Sequence, residues 1–167
     1  MPLLGILTPH KIVEHITEIS TDFLYEAGIN TILLDLDNTL THWNSFEVEE
    51  KIFTWIDEVK KSGFSLCIVS NNKKVRIEKV ANLLDIPYIH KAGKPKKKAF
   101  LKALSVMGAV PEKTIFIGDQ LFTDVLGANR VSLYTVLVKP LHPREFIGTR
   151  FMRRFEKIVM RRIVPKE

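Results

Sequence analysis

Short apolar runs alternate with amphipathic segments along most of this 167-residue chain, and that alternation leaves few folds open. Thr31–Leu36, Phe64–Val69, Thr114–Ile117 and Leu133–Val138 are strand-length and rich in β-branched residues, as strands buried on both faces are. Tyr88 and Ile89 read as a very short strand among them. Phe46–Lys61, Lys74–Leu84 and a stretch from Pro95 to about Met107 carry apolar residues at helical spacing, with Gly63 and Gly108 placed to stop the first and the last. A short helix is expected near Thr123–Asn129 and a last one from Pro143 onward. His10–Ala27 also has helical spacing, through Ile12, Val13, Ile16, Ile19, Phe23 and Leu24, and Gly28 ends it. Strands that alternate with helices imply crossover connections. The fold class is therefore α/β: a three-layer, Rossmann-like, mostly parallel sheet with helices on both faces.

Ligands of such sheets bind beyond the carboxyl ends of the strands. Four polar clusters fall there: Asp35-Leu36-Asp37-Asn38-Thr39, Ser70-Asn71-Asn72, Gly93-Lys94, and Gly118-Asp119 with Asp124 soon after. Two carboxylates at the end of an apolar strand are costly unless a cation or donors compensate them. With a single cysteine and no clustered histidines, three or four carboxylates suit a hard cation held through oxygen, most simply Mg²⁺. Ser70 adds a hydroxyl, Asn71 an amide and Lys94 a point positive charge, which together make a receptor for a phosphoryl group. Asp35, deepest in its strand, is placed to attack phosphorus. Asp37, further out, is placed to protonate the leaving oxygen and then activate water. An isolated Asp-x-Asp is commonly a turn or a helix cap, so the weight rests on four clusters, in order, at four strand ends.

DLDNTL at Asp35–Leu40, SNN at Ser70–Asn72, GKP at Gly93–Pro95 and GDQLFTD at Gly118–Asp124 resemble the four motifs of the haloacid dehalogenase phosphohydrolase superfamily, in the same order. The resemblance implies Asp35 as the phosphorylated nucleophile, Asp37 as acid/base, and Ser70 and Lys94 as phosphate ligands. It also implies Mg²⁺ held by Asp35, the Asp37 carbonyl and Asp119, with Asp124 in support and Thr39 orienting the Asp37 region by hydrogen bonding. ILTPHKIVEHI, ILLDLDNTL, GKPKKKAF and GDQLFTDVLGANR are similar to the YqeG-like branch of subfamily IIIA, over about Leu7 to Val138. That branch implies dephosphorylation of phosphatidylglycerophosphate to phosphatidylglycerol.

Leu40 to Ser70 has room for one connecting helix, and Asn72 to Lys94 for one helix and a short strand. Neither gap holds the lid domain of many members of that superfamily. One domain over residues 1–167 is expected, with a site open to a large substrate such as an anionic phospholipid headgroup. A soluble nucleotide, sugar or protein substrate is the alternative within the enzyme class; an RNA- or protein-binding module on the same fold is the alternative outside it.

The net charge is +6, and Gly148–Glu167 carries +5 of it. Residues 143–167 are expected to form a basic amphipathic helix. Phe151, Met152, Phe155, Ile158, Val159 and Ile163 fall largely opposite Arg150, Arg153, Arg154, Lys157 and Arg161. Such a helix either packs on the core with a solvated basic face or lies on an anionic membrane. It lacks aromatic interleaving for base stacking, so nucleic acid is not favoured. No apolar run approaches the ~20 residues that span a bilayer, and the N-terminus lacks a basic leader. The expectation is a cytoplasmic protein with peripheral contact at the inner membrane face, its tail apart from the chemistry.

Overall fold

The structure is a computed structural model that describes residues 3–142 and 147–163. Its elements are α1 (Leu3–Ile6), β1 (Lys11–Val13), a 3-10 turn at Ile16–Glu18, α2 (Thr21–Glu26), β2 (Thr31–Leu34), α3 (Glu50–Lys61), β3 (Ser65–Val69), α4 (Lys74–Leu84), β4 (Tyr88–Ile89), α5 (Lys97–Met107), a 3-10 turn at Pro111–Lys113, β5 (Thr114–Gly118), a π-helical turn at Leu121–Val125, α6 (Leu126–Asn129), β6 (Tyr134–Val138) and α7 (Ile147–Ile163). Pro143, where the last helix was expected to begin, lies outside the described residues, as do Lys166 and Glu167.

The strands form one sheet in the order β1-β6-β5-β2-β3-β4, every pair parallel. Successive side chains of β2 leave opposite faces, which makes the three layers. Ile32 and Leu34 join a core with Ile52 and Ile56 of α3 and Ile77 and Val80 of α4. Leu33 joins a second core with Phe100 and Leu104 of α5 and Ala128 of α6. Cys67 sits in that second core, where burial pushes its thiol up to about 12 and leaves it inert. The stretches after β2 and β3 hold α3 alone and α4 with β4, so neither inserts a lid domain.

One segment departs from its sequence pattern. His10–Ala27 is not a helix but an edge strand, a 3-10 turn and a six-residue helix. Lys11–Val13 pairs with Val136–Val138 of β6, so tertiary pairing overrides a helical spacing that three β-branched or long residues satisfy only by coincidence. Ser20 then caps α2, its Oγ accepting from the Phe23 N–H at 3.1 Å.

Candidate active site

The sheet places its two central strand ends side by side. Asp35 continues β2 and donates its N–H to the Ile117 carbonyl of β5 at 2.9 Å, so Asp35 and Asp119 leave adjacent strands at nearly the same level. Both side chains are buried, and so is Asp124 on the π-helical turn. One carboxylate oxygen from each of the three lies within 4.8 Å of the others. Gly118 makes room for this: a Cβ there would stand 2.6 Å from Asp124 Cγ.

Lys94 reaches the cluster because its loop is tied to the end of β3. Ala92 N–H donates to the Ser70 carbonyl at 3.0 Å, and Lys91 N–H to the Asn72 carbonyl at 2.9 Å. The Asn71 side chain accepts from Lys94 N–H at 2.8 Å and donates to the Lys94 carbonyl at 3.0 Å. Thus anchored, the Lys94 ammonium donates to Asp35 Oδ1 at 2.6 Å and Asp124 Oδ1 at 2.7 Å. Burial alone would lower the Lys94 pKa; the Asp124 and Asp35 charges outweigh it, and the value is raised. Burial pushes the Asp35 carboxyl up to about 7, against the pull of Lys94 and with the Asp124 charge adding to it. Asp119 is raised for the same first reason, opposed by Arg153.

Asp37 stands apart from the buried three. Its carboxylate accepts from Asn72 Nδ2 at 2.6 Å and from the Arg76 guanidinium, whose Nε is 3.0 Å away. Arg76 also donates to the Ser45 carbonyl at 2.7 Å and to Thr41 Oγ1 at 3.3 Å, binding the loop after β2. A cleft of about 410 Å³ opens here, lined by Asp35, Asp37, Ser70, Lys94, Arg76 and the partly exposed Trp43.

Every site residue expected from the sequence except Thr39, Asp119 and Asp124 lines this cleft, and the last two form its buried back. Two expectations change in detail. The Thr39 hydroxyl is buried without a hydrogen-bond partner; backbone bonds instead hold the turn, with Leu40 N–H donating to the Leu36 carbonyl at 2.9 Å. The Asn71 side chain, which lines the cleft, also bonds the Lys94 main chain through its Oδ1 and one N–H, so it positions the lysine as well as offering its second N–H. Asn72 and Arg76 are added. Asn72 belongs to a cluster already singled out, whereas Arg76 carries no sequence signal beyond its place in the first turn of α4.

The tail is not apart from the chemistry. Arg153 of α7 donates to the Asp119 carbonyl and to Asp119 Oδ2. Glu156, one turn on, is buried and accepts from Phe122 N–H at 3.2 Å. Val159, Met160 and Ile163 pack against Leu7, Leu121 and Val125. Met152, Phe155 and Ile158 stay exposed, as do Arg154, Lys157, Arg161 and Arg162. Of the expected apolar face, then, Val159 and Ile163 turn to the core, Met152, Phe155 and Ile158 turn out, and the Phe151 side chain lies outside the described residues.

The residues present fit a divalent cation. Asp119 Oδ1 is buried with no hydrogen-bond partner, and the candidate ligand side chains grouped with it, Asp35 and Asp124, offer carboxylate oxygens. Both Asp124 oxygens, by contrast, are bonded, to Lys94 and to Gln120 N–H.

Comparison with known proteins gives the family. The profile of the haloacid dehalogenase-like hydrolases matches residues 50–131. A Bacillus subtilis (strain 168) protein named "Probable phosphatase YqeG" is 39% identical over 152 residues, covering 91% of this chain and 88% of that protein. Glyceraldehyde 3-phosphate phosphatase of Pyrococcus furiosus is 29% identical, over 78% of this chain and 63% of its own. Phosphatidylglycerophosphate phosphatase 1 of Arabidopsis thaliana is 27% identical, over 95% of this chain and 48% of its own. The chain thus spans less than two thirds of either of these last two.

Proposed function

The chain belongs to the haloacid dehalogenase-like hydrolases and is a phosphatase of that family, and from that premise we propose that it hydrolyses phosphatidylglycerophosphate at the surface of an anionic membrane. The observation that carries this reading is α7, which touches the site with one face and exposes Met152, Phe155 and Ile158 beside Arg154, Lys157, Arg161 and Arg162 with the other. A basic face next to an exposed apolar stripe suits the headgroup boundary of an anionic bilayer. A cleft without an inserted lid domain admits a headgroup whose acyl chains remain in the bilayer. The likeness to the Arabidopsis protein adds support. Among the described residues no helix is long and apolar enough to cross a membrane.

In this reading Asp35 attacks phosphorus, an aspartyl-phosphate bond forms and the bond to the leaving oxygen breaks. Asp37 gives its proton to that oxygen. Asp37 then takes a proton from water, whose oxygen attacks phosphorus, freeing inorganic phosphate and restoring the Asp35 carboxylate. Lys94 neutralises charge between the two anions as they meet, and Ser70 binds the phosphoryl oxygens. Asp35, Asp119 and the Asp37 carbonyl would hold Mg²⁺, which when bound offsets the negative charge of the phosphoryl group.

Purified protein with Mg²⁺, presented with phosphatidylglycerophosphate in phosphatidylglycerol vesicles and with a panel of soluble phosphates, tests the substrate. Faster phosphate release from the vesicles is expected, together with vesicle binding that falls with salt and in a Met152→Ser/Ile158→Ser variant. Preference for glyceraldehyde 3-phosphate, a nucleotide, a sugar phosphate or a phosphoprotein would overturn the lipid reading and leave the phosphatase intact.

A further inference from the structure

Asp119 divides its two carboxylate oxygens. Oδ2 accepts from Arg153, and Oδ1 is buried with no partner. An arginine that merely neutralised this carboxylate would be expected to fork across both oxygens. Arg153 instead spends its other terminal nitrogen on the Asp119 main-chain carbonyl and on Glu156 Oε2, the latter at 3.2 Å. Its position is fixed from both sides. Glu156 is anchored in turn by Phe122 N–H, at the start of the turn that follows Asp119. The apolar stripe of Val159, Met160 and Ile163 seats the helix that carries both residues.

We propose that Arg153 is a positioning residue of the metal centre: it pins Asp119 Oδ2 and so leaves Oδ1 turned toward the divalent cation, which makes α7 a structural part of that centre. The proposal rests on the reading that the acidic cluster holds such a cation. Groups that orient a metal-binding side chain through its second polar atom commonly contribute about 10–100-fold to metal affinity. The opposite role is physically distinct. If Arg153 stood in for the cation on a bare carboxylate, the two would compete, and removing the arginine would tighten metal binding.

Calorimetric titration of the full chain with Mg²⁺ separates these roles without any assay of turnover. Arg153→Met is expected to weaken Mg²⁺ binding about 10–100-fold. Arg153→Lys, which keeps the charge but loses the fork, should fall between wild type and Arg153→Met. Glu156→Gln should weaken binding in the same direction by less. Melting of the metal-free variants reports whether each folds; if Arg153→Met does not, the comparison of Arg153→Lys and Glu156→Gln with wild type decides. Unchanged or tighter Mg²⁺ binding in the folded variants would overturn the proposal. Asp119→Asn tells which idea has failed. If it binds Mg²⁺ like wild type, the cation reading itself falls; if it loses binding while the arginine variants keep it, only the role of Arg153 falls.

Discussion

The Lys94 ammonium lies 2.6 Å from Asp35 Oδ1, with both side chains buried. A second bond, to Asp124 at 2.7 Å, makes Lys94 the hub of a buried charge cluster. Removing one partner of a buried pair leaves the other uncompensated, which typically costs about 3–5 kcal/mol. Lys94→Met should therefore lower stability in urea without metal by roughly that amount, and Mg²⁺ should restore part of it. Wild-type stability of this variant would mean that the cluster is neutral rather than charged.

The pH dependence of stability has a defined sign. Burial raises the Asp35 pKa from 3.8 to about 7 in the folded chain. The folded state therefore holds a proton that the unfolded state has lost across that window. The contribution is fully present below the unfolded value and is lost as pH rises through the folded one. In EDTA the melting temperature should fall between about pH 4 and 7, and Asp35→Asn should flatten that slope. Mg²⁺ should raise the melting temperature more at pH 8 than at pH 6, where the proton still competes. An equal slope in Asp35→Asn would assign the effect elsewhere.

Gly118 is small because Asp124 lies against it. A Cβ added there would meet Asp124 Cγ at 2.6 Å and Cβ at 2.8 Å. Gly118→Ala should push Asp124 off Lys94 and off Gln120 N–H. Misplacement of this order can cost about 100-fold in turnover. Phosphate release from a soluble phosphomonoester, with circular dichroism as the check on folding, measures it.

Arg76 holds the carboxylate assigned as the general acid. A good leaving group needs no acid, whereas an alkoxide does. Arg76→Ala should therefore slow hydrolysis of an alkyl phosphate far more than that of p-nitrophenyl phosphate. Equal losses on both substrates would give Arg76 a purely structural role.

Most of the fold was legible because buried parallel strands are written as apolar runs. Tyr88–Ile89 and Lys74–Leu84 stand where their patterns put them. β1 was not legible: three residues at a sheet edge carry too short a pattern to compete with the helical spacing around them. The four polar clusters were legible because each follows its strand directly in sequence. Arg76 and Arg153 were not, since an arginine on a helix reads as solvated surface until packing turns it inward. Arg153 was further hidden in a basic tail, where its neighbours Arg154 and Lys157 do face solvent. Its bonds to Asp119 and Glu156 distinguish it.

With Asp35 as the nucleophile, the covalent intermediate can be read directly. Protein mixed with a phosphomonoester and Mg²⁺, quenched in acid during the first turnover and reduced with borohydride, should carry homoserine at position 35 in the peptide spanning Thr31–Leu40, and Asp35→Asn should carry none and release no phosphate. Wild-type turnover with no modification at position 35, or phosphate release by Asp35→Asn at the wild-type rate, would contradict it.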